Sequence, residues 1–335
     1  MTDLPGSDEQ SKTGLRAGIW SRYWEAGAPH SCSGSFGQHY EGAIGKWWQQ
    51  VFEALSTVER VLDLATGSGA VLQLALKHCR SQTVRLEGID VGQVAPLWSL
   101  SLAPEQAARV HIQAGIGAER LPFDDQSFDL VTSQFGIEYT DLERSTAELR
   151  RVLRSGGSLR CILHHANSRS VHLARIEVEH ARWLLAPNGL LQVAEQLCGP
   201  FSRAATAQGR SDLVNDQGAN ALRQRFNDQQ DERRRLAATS ECPDVLHEAS
   251  DAVNGAFRTA TEQSALAGQE LARAYEKKLR DSEFRLTDLI DHALSPHSLQ
   301  ARQLRLGALG LAARVGELRD GKHLMGWWLK ADLTP

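Results

Sequence analysis

What the chain lacks narrows it first. No run approaches the roughly 18–20 consecutive apolar residues a membrane span needs, so a spanning helix is excluded at this stage. The opening stretch has neither a basic start nor an apolar core, so no secretory signal is expected there. A disordered tail is expected over residues 1–15. Cysteine is sparse: Cys32, Cys79, Cys161, Cys198 and Cys242 are odd in number, scattered, and form no CxxC pair. That pattern supports neither a disulfide framework nor a zinc ribbon, and it fits reduced thiols in a cytoplasmic protein. No spacing resembles a metal triad, so no metal is expected. No internal repeat is present. Positive charge is not in excess: 37 Lys+Arg against 41 Asp+Glu leave a net charge of −4. A protein that grips nucleic acid through its phosphates is usually basic. Arg233-Arg234-Arg235 is the one local basic run, and Asp231-Glu232 precede it, so it reads as a solvated face.

What is present is an ordinary soluble composition, 41% hydrophobic and 23% charged. The length of 335 residues suits one large domain or a domain with an insertion. Val61–Ala65 is a short apolar run that ends in Thr66-Gly67-Ser68-Gly69, and Ala70–Leu76 then has helical character. Val84–Val91 is a second strand, and a helix is expected over Gln93–Ala108. Val110–Gln113 and Phe128–Phe135 are further strands. Asp141–Leu153 reads as a helix with Asp141 as N-cap and Ser155-Gly156-Gly157 as its stop. Ser158–His165 is a fifth strand. Strands alternating with helices imply a parallel sheet covered on both faces.

The middle is different. From Asn167 to Leu294 strand signals nearly vanish, and helices are expected near Val171–Leu185, Gln192–Leu197, Ser211–Ala238 and Pro243–Ala293, the last broken or shorter. Val253, Phe257, Ala260, Ser264, Ala267 and Leu271 follow a 4-3-4-3 spacing, a seam for an intramolecular hairpin or for a second chain. Two strand patterns, Ala312–Leu318 and His323–Ala331, then close the chain as a hairpin.

The glycine turn carries the chemistry. The strand ending in Asp63 brings a carboxylate and an open backbone to the carboxyl edge of the sheet. Gly67 and Gly69 let a ligand approach the main chain, and the helix behind them offers free N–H groups. Asp90 ends the second strand, where a carboxylate can accept both hydroxyls of a ribose. A dinucleotide fingerprint wants a third glycine, but Leu72 stands there. Asp63 would also face a pyrophosphate unfavourably. It suits a ligand with an ammonium group and no phosphate, as in S-adenosylmethionine.

At these residues the sequence resembles the class I S-adenosylmethionine-dependent methyltransferases, in their small-molecule branch. The resemblance rests on VLDLATGSG (61–69), LEGIDVG (86–92), AERLPFDDQSFDLVTSQFGIEY (118–139), ELRRVLRSGGSLRC (148–161) and the final hairpin. It implies a doubly wound, mostly parallel seven-stranded α/β sheet, Rossmann-like, with an antiparallel last strand. The core would be 16–166 plus 298–335, with an all-α insertion at 167–297 acting as a cap over the acceptor. It also implies that Asp63, Ala65, Thr66 and Gly67 hold the methionine end and Asp90 the ribose. Val91 would pack on the adenine, Ala118 and Glu119 would flank its edge, and Ser133, Gln134 and Phe135 would line the methionine side. The family often has an acid just before the AE-LPF motif; here that position is Gly117.

The acceptor side is read from aromatic and histidine content. Ile19–Trp48 holds Trp20, Tyr23, Trp24, Phe36, Tyr40, Trp47 and Trp48, with His30, Cys32 and His39. This is either a lid over the acceptor, with Trp20, Trp24, His30 and Tyr40 against it, or a helix packed on the sheet. Glu138 and Tyr139, just after the fourth strand, lie near the same edge and are candidates to touch the substrate. His164 and His165 end the fifth strand, with side chains on opposite faces; either is a candidate base for a hydroxyl acceptor. The expected activity is methyl transfer to a small molecule at oxygen. The rivals are a protein or RNA methyltransferase docked through the insertion, and a non-catalytic S-adenosylmethionine-binding protein. A homodimer through the insertion is a further expectation. Neither a nucleic-acid nor a membrane partner is expected.

Overall fold

The computed structural model describes residues 7–31, 40–54 and 59–334. The chain divides into two compact units, Met1–Val171 with Asp291–Pro335, and His172–Ile290. Its strands are β1 (Arg60–Leu64), β2 (Arg85–Asp90), β3 (Val110–Ala114), β4 (Phe128–Gln134), β5 (Leu153–Leu163), β6 (Leu311–Asp320) and β7 (His323–Leu333). Its helices are α1 (Ser7–Glu25), α2 (Gly42–Glu53), α3 (Ala70–His78), α4 (Pro104–Ala107), α5 (Leu142–Val152), α6 (Arg169–Leu184), α7 (Leu190–Arg203), α8 (Ala207–Val214), α9 (Gln217–Thr239), α10 (Asp244–Glu262), α11 (Ala265–His292) and α12 (Pro296–Ala308).

The first unit is built on one seven-stranded sheet in the order β3-β2-β1-β4-β5-β7-β6. The first five strands pair in parallel, and β7 runs antiparallel to both β5 and β6. Strand alternation sorts the core. Leu62, Val131 and Cys161 face the side that also holds Leu149, Leu299 and Leu306 of α5 and α12. Val61, Leu130 and Ile162 face the other, with Trp48, Phe52, Leu72 and Ala75 of α2 and α3. Both faces are therefore apolar, as a doubly covered sheet requires. Strand order reverses between β1 and β4, so a crevice opens at their carboxyl ends.

Several boundaries differ from the sequence expectation. Between Gln93 and Ala108 there is no continuous helix, only a 3-10 turn at Leu97–Ser101 and the short α4. Pro96 and Pro104 interrupt it, and Leu102 and Ala103 before the second proline are extended. Helix α1 starts at Ser7, inside the stretch expected as a tail, where no proline or glycine interrupts Ser7–Thr13. Strand β5 begins at Leu153, directly after α5. The expected stop, Ser155-Gly156-Gly157, lies within it, where its register against β4 shifts. The second unit starts and ends a few residues inside 167–297. The cause is Leu294, whose N–H donates to the His164 carbonyl (2.8 Å) and whose carbonyl accepts from Ala166 N–H (3.0 Å), tying both chain ends into the first unit.

The second unit contains α7 to α10 and most of α6 and α11 and is wholly helical. The helix expected over 211–238 breaks at Asn215-Asp216, where the Asp216 carboxylate caps α9 by accepting from Ala219 N–H (2.9 Å). The small-residue seam also spans a break. Val253, Phe257 and Ala260 are buried on α10, whereas Ser264 lies between α10 and α11 and Leu271 is 44% exposed. The hairpin closes through Gly268 of α11: a Cβ there would lie 2.6 Å from the Ala256 carbonyl oxygen and 2.7 Å from the Ala260 Cβ. Gly268→Leu is therefore expected to destabilise the protein by about 1–3 kcal/mol through overpacking. Denaturant unfolding checks this, and an unchanged midpoint would show that the helices approach less closely.

Candidate functional site

The crevice is built from the ends of β1, β2, β4 and β5. The Asp63 side chain is almost fully buried at the end of β1. It accepts hydrogen bonds from the Thr66 hydroxyl (2.7 Å) and the Thr132 hydroxyl of β4 (2.7 Å). Burial dominates these bonds and pushes its pKa up to about 7. The turn that follows holds Ala65, Gly67 and Gly69 at positive φ (52°, 51° and 76°). Ala65 is thus a non-glycine residue in the left-handed region, a strained conformation of the kind found at functional sites.

Asp90 closes the turn from β2. One carboxylate oxygen accepts from Gly67 N–H (2.9 Å) and the other from Gly92 N–H (2.8 Å). Burial raises its pKa to about 6, against the pull of those two bonds. Val91 follows directly. The helix behind the turn packs with its roles exchanged relative to a dinucleotide fold. Leu72 stands where a third glycine would allow close packing, and Gly88 of β2 makes the room instead. A Cβ at Gly88 would lie 2.9 Å from Leu72 Cδ1.

Gly117 is explained by its neighbour. A Cβ there would lie 2.7 Å from Glu119 Oε2. The Glu119 carboxylate thus fills the space that an acid side chain at 117 would occupy, while its other oxygen accepts from Asp141 N–H (3.1 Å). Ala118 between them is buried. After β4, the Ser133 hydroxyl donates to the Leu64 carbonyl (3.0 Å) and accepts from Ile137 N–H (3.1 Å). Gln134 accepts from the Trp48 indole N–H. Phe135, at φ 52°, stacks on His164 with ring centroids 4.2 Å apart.

The N-terminal aromatics do reach this edge. Trp24 lies over Gly67, where a Cβ would sit 2.5 Å from its ring. Trp20 stacks on Trp24 at 5.5 Å. Gln93 N–H donates to the Ser21 hydroxyl (2.8 Å), Arg16 donates to the Tyr139 carbonyl (3.1 Å), and the Ser68 hydroxyl donates to the Pro29 carbonyl. His30 is buried against Tyr40, ring to ring at 4.4 Å. Cys32, Phe36 and His39 lie outside the described residues.

The two histidines occupy different surroundings. His164 is buried against Phe135, and desolvation lowers its pKa to about 3, so its ring is neutral. His165 stacks on Trp327 at 4.1 Å, and its Nδ1 accepts from Asn167 N–H (2.9 Å). His165→Ala is expected to cost about 1–3 kcal/mol of stability, because it orphans that N–H and opens a gap beside Trp327. Thermal unfolding measures it, and an unaltered melting temperature would remove the structural role.

Four buried polar atoms have no partner here: Trp24 Nε1, Gln134 Nε2, Glu138 Oε2 and His164 Nδ1. Such groups are costly to bury alone, and a ligand with donors and acceptors of its own would satisfy them. Sequence reasoning missed Thr132, which holds Asp63. It also missed Trp98, whose ring lies against Gly69 and whose indole N–H donates to the Ser68 carbonyl (2.6 Å). Glu138 is expected from its place in the sequence to lie near the edge and touch substrate. Its carboxylate accepts from His164 N–H (2.8 Å), and burial raises its pKa. No local pattern marks Thr132, because only strand pairing brings it beside Asp63.

Residues 62–161 match a family model described as a methyltransferase domain. The ubiquinone/menaquinone biosynthesis C-methyltransferase UbiE of Xanthomonas campestris pv. campestris is 36% identical over 129 residues, covering 36% of this chain and 49% of that protein. The demethylmenaquinone methyltransferase of Thermotoga maritima is 36% identical over 121 residues, covering 35% and 50%. The chain thus spans about half the length of these curated relatives. Among solved structures, the 1,6-didemethyltoxoflavin-N1-methyltransferase of Burkholderia thailandensis, with bound 1,6-didemethyltoxoflavin and S-adenosylhomocysteine, is 15% identical with a TM-score of 0.37, covering 49% of this chain and 67% of that one. Among the described residues, no helix is long and apolar enough to cross a membrane, and no three or more His, Cys, Asp or Glu side chains cluster so as to hold a metal ion.

Proposed function

We propose that this chain is an S-adenosylmethionine-dependent methyltransferase acting on a small organic molecule. The motif resemblance and the match over residues 62–161 agree on a class I methyltransferase domain. The observation that carries the reading is the buried Asp90 carboxylate, held between Gly67 N–H and Gly92 N–H at the tip of β2. Its remaining lone pairs suit the two hydroxyls of a ribose. S-adenosylmethionine, when bound, supplies the methyl group on its sulfonium. Asp63 and the backbone of Ala65, Thr66 and Gly67 hold its amino-acid end. Val91, Ala118 and Glu119 surround the adenine, and Gly69, Ser133, Gln134 and Phe135 complete the pocket. Trp20, Trp24, His30, Tyr40 and Tyr139 form the acceptor side and exclude water.

Oxygen, the acceptor atom expected from the sequence, draws no support from the relatives, one of which is named for carbon methylation. His164 also argues for a modest role. A ring held neutral at a pKa of about 3 is a weak proton acceptor at pH 7. It serves the acceptor by stacking beside it and offering a hydrogen bond, and orientation supplies the rate.

Calorimetric titration of the purified protein tests the reading. S-adenosylmethionine and S-adenosylhomocysteine are both expected to bind, and NAD is not. Binding of NAD with neither methionine nucleoside would overturn it.

A further inference from the structure

The second unit contains a charged group with no use in the site above. Arg233 on α9 is only 8% exposed. A guanidinium stays protonated, and taking it out of water costs several kcal/mol unless an opposite charge compensates. Here its partners are neutral. Nε donates to Gln230 Oε1 (2.7 Å), and one Nη donates to the Leu246 carbonyl of α10 (3.3 Å). Among the described residues no carboxylate lies within ion-pair distance; Asp251 attracts it from farther away. The neighbouring arginines are arranged the opposite way. Arg234 and Arg235 are exposed, and each pairs with an acid one turn back, Asp231 and Glu232. The arginine that most needs a counter-charge is the one without it.

Arg233 lines a cleft of about 510 Å³ between α9 and α10. Asn227, Gln230, Ser250 and Asn254 line it as well, with Phe226 as an apolar wall; Asp231 and Arg234 also line it and neutralise each other as an ion pair. That volume lies in the range of small-molecule sites. Among the described residues, the other Nη of Arg233 donates to no protein group. With Asp231 taken up by Arg234, the amide and hydroxyl donors around the unneutralised Arg233 guanidinium match the oxygens of a carboxylate or a phosphate, which Arg binds through its planar fork.

We propose that the cleft between α9 and α10 is a binding site for a small oxyanion, a carboxylate or phosphate group carried on an organic body, with Arg233 as its counter-charge. The site belongs to the helical unit and does not depend on the methyltransferase reading. Phe226 would flank the organic body, and Asn227, Ser250 and Asn254 would take the remaining oxygens.

The test uses the full chain. Thermal unfolding and calorimetry are run with benzoate, phenyl phosphate and inorganic phosphate, each against chloride at matched ionic strength. At least one of these is expected to bind and to raise the melting temperature beyond the chloride control. Benzoate alone would assign a carboxylate site. The two phosphates without benzoate would assign a phosphate site. Arg233→Met should weaken that binding about tenfold or more, while its own melting temperature stays level or rises because a buried charge has gone. Asn254→Leu changes an exposed wall of the cleft, so its fold should survive, and it should weaken the same ligand. No oxyanion exceeding chloride would overturn the proposal, as would equal binding by wild type and both variants. A fall in the melting temperature of Arg233→Met with no oxyanion effect in the wild type would make Arg233 a structural tie between the helices.

Discussion

Asparagine in place of Asp63 is expected to stabilise the protein at pH 8 and to have little effect at pH 4. The Asp63 pKa stands near 7 in the folded protein, against an ordinary value of 3.8. A carboxyl group whose pKa is raised on folding favours the folded state below its unfolded pKa. That contribution is lost as pH rises through the folded value. The window therefore runs from about pH 4 to about pH 7, and above it the folded protein carries the full cost of a buried carboxylate. The rise corresponds to about 4 kcal/mol, an upper bound on the gain, because the amide must rebuild two hydroxyl bonds. Thr132 has an alternative acceptor, the Leu62 carbonyl at 3.4 Å, so its hydroxyl can turn and accept from the amide. Asp90, with its own raised value near 6, titrates in both proteins, and its charge adds to the rise at Asp63, so relief of that repulsion is part of the gain. Urea unfolding at pH 5 and pH 8 measures the effect. If the variant loses stability between these pH values as steeply as the wild type, the buried Asp63 is not its source. The same substitution is expected to weaken S-adenosylhomocysteine binding, since the ammonium of that ligand loses its carboxylate. A residue kept at a cost to stability and needed for a ligand is the signature of a functional site.

Loss of the Asp90 carboxylate is expected to have the largest effect on ligand binding. Its two oxygens hold Gly67 and Gly92 in place as well as facing the ribose, so Asp90→Ala removes the ribose contact and releases the turn together. Hydrogen bonds to a charged group are worth about 1.5–3 kcal/mol each. Loss of two corresponds to at least about 100-fold in affinity. Asp90→Asn keeps one acceptor and should fall between. Calorimetry with S-adenosylhomocysteine reads both. Affinity of Asp90→Ala within threefold of the wild type would remove Asp90 from the ribose site and leave it a clamp on the turn.

Much of the first unit was legible in the residue order because its signals are local. Five apolar runs, the first four leading into a glycine or an acid and the fifth ending in His164-His165, read as buried parallel strands. The spacing of Asp63, Gly67, Gly69 and Asp90 by itself places a ligand turn at their carboxyl edge. Helix breaks were harder to read. Breaking at Asn215-Asp216 and again at Gln263-Ser264 depends on a side-chain cap and on packing against a neighbouring helix, and the helical pattern runs on through both. Only the tertiary structure brought Thr132 to Asp63 across a strand pair, laid Trp24 on Gly67, and put Glu119 into the space that Gly117 leaves. These contacts join residues far apart along the chain or depend on which way a side chain turns, and period and propensity carry no information about either. Arg233 shows the difference most plainly. In sequence it is the first of three arginines on a charged stretch. Packing buries it and leaves its two neighbours in water, because a helix turns about 100° per residue and only one of three successive side chains can face the adjoining helix.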